Sequence, residues 1–211
     1  MKKYKFNLKK RVIGLTGGIG TGKSTVGRYL ATNYQLLVLD ADIFAREAVK
    51  PDSLILQEIV NRYGNKILLS DNSLNRQELG NIIFSDINER RWIESKIHPY
   101  VRENLLIGVN QMPKKGIIVL VIPLLFEAKM TDLVTEVWVV SCSEAQQIQR
   151  LMQRDNITLS QAQERINSQM PLLEKCQKAD IILDNSSTEE ELLKQVDWAI
   201  NTTDFMETNS S

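Results

Sequence analysis

The run Gly17-Gly18-Ile19-Gly20-Thr21-Gly22-Lys23-Ser24 constrains this chain more than any other feature. It follows the short apolar stretch Val12–Leu15 and opens the segment Lys23–Asn33, where Val26, Tyr29 and Leu30 recur at helical spacing. A buried strand, a glycine turn and a helix in that order form the setting in which G-x-x-x-x-G-K-[ST] binds phosphate. Glycines let the backbone turn so that successive N–H groups converge on an anion, and the N-terminus of the helix points at the same charge. In this reading Gly18, Ile19, Gly20, Thr21, Gly22, Lys23, Ser24 and Thr25 hold ATP. Lys23 reaches the β- and γ-phosphates, Ser24 binds Mg²⁺ and Thr25 extends towards the α-phosphate. A chance glycine-rich turn would not be expected between a strand and a helix.

The rest of the chain extends the pattern. Leu36–Leu39 is a second buried run ending at Asp40, Ile117–Ile122 is the most strand-like stretch, and Glu136–Val140 and Ile181–Leu183 complete five strands. The expected fold is α/β, a three-layer fold with a five-stranded parallel sheet. Between Pro51 and Gln111 the periodicity is helical throughout. Ser143 is placed to cap a helix over Ser143–Asp155, and Ile157–Lys178 reads as helical with a break near Met170-Pro171. Thr188–Ile200 reads as a closing helix, with Glu189, Glu190 and Glu191 in its first turn. These signals divide the chain into a nucleotide-binding core at 11–50 and 115–200, with a lid at about 150–178 inside it, and a helical acceptor-binding insertion at 51–114. Residues 1–10 and 201–211 read as tails, the second polar enough to expect disorder.

Composition removes several alternatives. Lys+Arg and Asp+Glu are both 26, without the basic excess of a nucleic-acid binder. Two cysteines, Cys142 and Cys176, in no C-x-x-C pattern fit a reducing compartment, and with one histidine they make a structural zinc site a poor expectation. The basic start is followed by no apolar core of a secretory signal, and the longest apolar run is too short to span a bilayer. No membrane, nucleic-acid or protein partner is implied, and a cytoplasmic location is expected. No N-K-x-D segment occurs (Asn65-Lys66-Ile67-Leu68 fails at its last position), and neither D-x-x-G nor L-S-G-G-Q is present. A small-molecule kinase therefore suits the chain better than a GTPase or a transport ATPase. The competing expectations are a nucleoside or other metabolite kinase and a non-enzymatic nucleotide-binding switch.

Several segments in order then make the resemblance specific. Gly14-Leu15-Thr16 leading into the glycine run, Asp40-Ala41-Asp42 with Ala45-Arg46, His98-Pro99, Pro123-Leu124-Leu125-Phe126-Glu127, Gln153-Arg154-Asp155, and Ala179-Asp180 with Asp184-Asn185 together resemble the dephospho-CoA kinase family over roughly Val12 to Ile200. The resemblance implies transfer of the ATP γ-phosphoryl to the 3′-hydroxyl of dephospho-CoA, giving CoA and ADP. It favours Asp42 as the base that accepts the ribose proton, although the residues alone leave Asp40 and Asp42 even. Asp42 would otherwise be an N-cap for a helix over Ile43–Val49.

The third strand ends Leu120-Val121-Ile122-Pro123 without a carboxylate, so Asp40 is the candidate for the metal's second partner. Arg46, four residues after Asp42, shares its helix face and is expected to grip the acceptor, with a simple ion pair as the alternative. Arg76, His98 (before Pro99 at an expected helix start), Pro123 and Leu124 are the other acceptor candidates. Arg150 and Arg154, four apart, would neutralise charge on the transferring phosphoryl group. Asn185 is expected at the adenine edge or in a plain turn. Glu164, Arg165 and Gln169 lie in the lid segment with no role assigned.

Overall fold

The computed structural model describes residues 10–113 and 116–208. The chain separates into two units, one formed by residues up to Leu39 and from Gln111 onward, the other by Asp40–Asn110.

The first unit is built on β1 (Lys10–Gly17), β2 (Leu37–Asp40), β3 (Gly116–Val121), β4 (Glu136–Ser141) and β5 (Ile181–Asp184), in the order β2-β3-β1-β4-β5. β1 runs parallel to both β3 and β4, with Leu15 opposite Val121 on one side and Trp138 on the other. The parallel sheet expected from five short apolar runs is therefore present. A central strand covered on both faces needs apolar residues at every position, and Val12, Ile13 and Leu15 are fully buried. Helices α1 (Lys23–Asn33) and α9 (Glu189–Thr208) supply Val26, Leu30, Leu192 and Val196 to the same core as Ile13, Leu15, Val119 and Val140. Each such side chain contributes about 1.5–3 kcal/mol of burial. Three further helices precede β5: α6 (Glu144–Asp155), α7 (Leu159–Asn167) and α8 (Leu172–Gln177). The break expected near Met170-Pro171 is the gap between α7 and α8.

The second unit consists of α2 (Ala41–Ala48), α3 (Leu54–Tyr63), α4 (Arg76–Ser85) and most of α5 (Ile87–Gln111), packed on Leu56, Ile59, Ile67, Leu74 and Ile93. It begins at Asp40, not at residue 51 as expected, because α2 follows β2 without a break.

Three local expectations are corrected. Asp40, not Asp42, caps α2: its Oδ1 accepts the Asp42 amide at 2.8 Å, leaving Asp42 in the first turn. Pro99 does not begin a helix but lies inside the 25-residue α5. The apolar face carrying Ile93, Val101, Leu105 and Val109 runs through that point, and its burial outweighs the amide that proline lacks. At the far end, α9 continues through most of the segment read as a disordered tail, ending at Thr208. The basic start, residues 1–9, lies outside the described residues.

Candidate active site

The phosphate loop joins β1 to α1 in the first unit. Gly22 caps α1 at φ +103°, a left-handed conformation, and a Cβ there would lie 2.3 Å from Asn185 Nδ2. Only glycine meets both conditions. At Gly18 a Cβ would come within 2.4 Å of Gln147 Nε2, so a side chain there would displace the glutamine's amide end. Inside the loop, the Lys23 ammonium donates to the carbonyls of Gly17 (3.2 Å) and Gly18 (2.7 Å), and Thr21 Oγ1 also donates to Gly18 O (2.9 Å). Ser24 and Thr25 occupy the first turn of α1, with Ser24 exposed.

Neighbouring elements brace the loop from outside. Gln147, buried in α6, donates Nε2 to Ile19 O at 2.6 Å, and Gln169 Oε1 accepts the Ile19 amide at 2.9 Å. Arg150 donates to Gly20 O (3.3 Å) and Asn185 O (3.0 Å), while Asn185 Nδ2 donates to Thr21 O at 2.8 Å. Asn185 is 9% exposed, and its side-chain amide braces the loop. Arg154, on the same helix as Arg150, is exposed and paired with Asp155, which also takes Arg165. The two arginines are thus placed differently, Arg150 against the loop and Arg154 at the helix end.

Pro123 and Leu124 form the turn after β3. The Pro123 carbonyl accepts from Thr16 Oγ1 (3.1 Å) and from Lys175 Nζ (3.0 Å). Lys175 has no exposed surface, and its charge is met by Glu127 at 2.9 Å. Glu127 Oε1 also accepts the Met170 amide at 3.0 Å. A cavity of about 560 Å³ beside the loop is lined by Gly18, Cys142, Gln147, Gln169, Met170 and Cys176 among others. Burial pushes the pKa of both thiols up, which favours the protonated form.

The remaining candidates belong to the second unit. Asp40 ends β2 and caps α2; Asp42 and Arg46 are exposed along α2. Arg76 opens α4, and desolvation together with the neighbouring positive charge of Arg46 pushes its pKa down. Two guanidinium groups close enough to repel each other mark a place that favours an anion. His98 is half-buried in α5; burial lowers its pKa, with Glu94 opposing the shift and Arg90 adding to it. It is therefore neutral at pH 7. Because the folded state resists its protonation, its contribution to stability is complete above its ordinary pKa of 6.5 and is lost as the pH falls through the depressed value. Thermal melts from pH 7.5 downward should show this loss, and His98→Asn should flatten it across that window; an unchanged slope would refute the assignment.

The sequence reading gave no role to Gln147, Gln169 or Lys175. Their signals were faint, the clearest being a lysine on the buried face of a short helix.

A phosphate loop between the central strand of a β2-β3-β1-β4-β5 sheet and its first helix, with a helical segment bonded to that loop, defines a P-loop phosphotransferase. The dephospho-CoA kinase family model matches residues 11–191. The dephospho-CoA kinase of Trichormus variabilis is 59% identical over 192 residues, covering 91% of this chain and 97% of its own. Among solved structures, a protein of Thermus thermophilus superposes with a TM-score of 0.77 at 28% identity, covering 91% of this chain and 97% of its own. Dephospho-CoA kinase from Campylobacter jejuni gives 0.64 at 26%, covering 90% and 96%. The chain belongs to the dephospho-CoA kinase family and is a kinase with an alcohol group as acceptor.

Proposed function

We propose that the chain carries the γ-phosphoryl of ATP to the 3′-hydroxyl of dephospho-CoA through the residues of the phosphate loop and of α2. The observation that carries this reading is the loop itself, a ring of backbone groups closed by Lys23 and braced by Gln147, Arg150 and Asn185. Phosphoryl transfer asks the protein mainly for positioning and charge stabilisation, which a rigid loop with a lysine supplies. Gly18 to Thr25 bind the triphosphate, Asn185 keeps the loop in shape, and Arg150 and Arg154 are the lid cations that meet its charge.

Asp42 accepts the proton of the ribose hydroxyl. Arg46 and Arg76, with their shared positive field, suit a diphosphate-bearing acceptor, and His98, Pro123 and Leu124 complete the groups assigned to it. Ser24 and Asp40 are hard oxygen donors of the kind Mg²⁺ takes. Among the described residues no cluster of three or more His, Cys, Asp or Glu could hold a metal. That agrees with an ion held by one or two protein oxygens and the substrate's phosphates. Mg²⁺, when bound, supplies neutralising charge to the β- and γ-phosphates. Among the described residues no helix is long and apolar enough to cross a membrane, and we place the enzyme in the cytoplasm without nucleic-acid, membrane or protein partners.

The test is ADP formation by the purified chain. It should require both dephospho-CoA and Mg²⁺, with the new phosphate on the 3′ position by phosphorus NMR. Folded protein that binds ATP yet leaves dephospho-CoA untouched would reject the reading.

A further inference from the structure

We propose that Gln169 is a positioning residue for the transfer step, fixing the Gly18–Ile19 peptide against which the Lys23 ammonium rests. This rests on the role of Lys23 proposed above. One planar peptide is held at both ends. Its carbonyl, Gly18 O, accepts from Lys23 Nζ at 2.7 Å, and its amide, Ile19 N–H, donates to Gln169 Oε1 at 2.9 Å. A trans peptide sets these two groups on opposite sides, so the glutamine and the lysine grip it from either side. Rotation of this peptide turns on ψ of Gly18, where glycine offers little resistance, and on φ of Ile19, whose amide Gln169 holds. A flip would turn the carbonyl away from Lys23 and from Thr21 Oγ1, so that the ammonium loses its 2.7 Å contact and keeps the longer one, 3.2 Å to Gly17 O. The next carbonyl, Ile19 O, is already taken by Gln147, which leaves Gln169 to set the amide.

Gln169 is itself held by a separate set of contacts. The amide of the following residue, Met170, donates to Glu127 Oε1. Glu127 pairs with the fully buried Lys175, and Lys175 donates to the Pro123 carbonyl, which also takes Thr16 Oγ1 at the end of β1. The backbone at 169–170 is thus anchored to the sheet independently of the Gln169 side chain. Removing that side chain takes away the loop contact and leaves the anchor, so Gln169→Ala should fold and melt normally.

The experiment is a double-mutant cycle on the full chain, timed by single-turnover transfer from radiolabelled ATP to dephospho-CoA. Gln169→Ala should lower kcat about tenfold, the effect of one lost hydrogen bond, with the KM for dephospho-CoA within about twofold of its starting value. Gln169→Glu keeps an acceptor oxygen and should restore kcat, while its charge raises the KM for ATP. In a Lys23→Ala background Gln169→Ala should cost less than about twofold more, because the group it positions is gone. Equal losses in both backgrounds, or normal turnover by Gln169→Ala alone, would overturn the inference. Near-normal turnover by Lys23→Ala alone would instead reject the reading of Lys23 and take this proposal down with it. If Lys23→Ala leaves no transfer to time, the cycle is read on ATP affinity with the same criteria.

Discussion

Lys23→Ala is expected to lower kcat about a thousandfold while the protein still folds. One preorganised donor at a developing charge is worth about 10²–10³ in kcat, and a full positive charge in a loop sheltered from water sits at the upper end of that range. The side chain bonds Gly17 O and Gly18 O of its own loop, and it is not part of the core cluster that holds α1 to the sheet. Val26 and Leu30 do that, so the variant should melt close to the parent temperature. ADP release in the presence of dephospho-CoA measures the loss, and calorimetric titration with ATP separates weakened binding from slowed transfer. A drop of less than about fivefold would mean that the loop carries the phosphate on backbone amides alone.

Asp42→Asn should lower kcat by about 10²–10⁴, the usual range for a positioned general base. The two aspartates differ in what they hold. Asp40 Oδ1 is committed to the Asp42 amide as the cap of α2, a job asparagine performs as well, so Asp40→Asn should leave the helix intact. Asp42 lies in the first turn of α2 and is exposed. Steady-state turnover of both variants at saturating ATP and dephospho-CoA ranks them. If Asp42→Asn works normally and Asp40→Asn does not, the base is Asp40 and the metal needs a different second partner.

How much of this could be read from the chain depends on the range of the interaction involved. The strand, glycine turn and helix at the start are consecutive and periodic, so α1 was legible to its last residue, Asn33, and the Ser143 cap was legible from its neighbours. Pro99 misled because the rule about proline is local, whereas the α5 face from Ile93 to Val109 is set by what it packs against. The polar end at Asn201–Thr208 misled for a related reason: nothing in it breaks a helix already anchored by Val196, Ala199 and Ile200. The braces around the loop were illegible in principle. Gln169 lies 150 residues from Ile19, and Glu127 lies 43 from Met170. No periodicity or spacing reports a pairing created only when the chain folds.

The two helices after β4 both start with reciprocal caps, Ser143 with Gln146 and Thr158 with Gln161. They are also tied to each other, the two ends of α6 at Glu144 and Asp155 bonding Gln163 and Arg165 of α7. Ends secured in this way do not fray, and partners joined at two points do not slide. Because α6 also bonds the phosphate loop through Gln147 and Arg150, the pair stands against that loop as one stiff unit rather than as two separate helices.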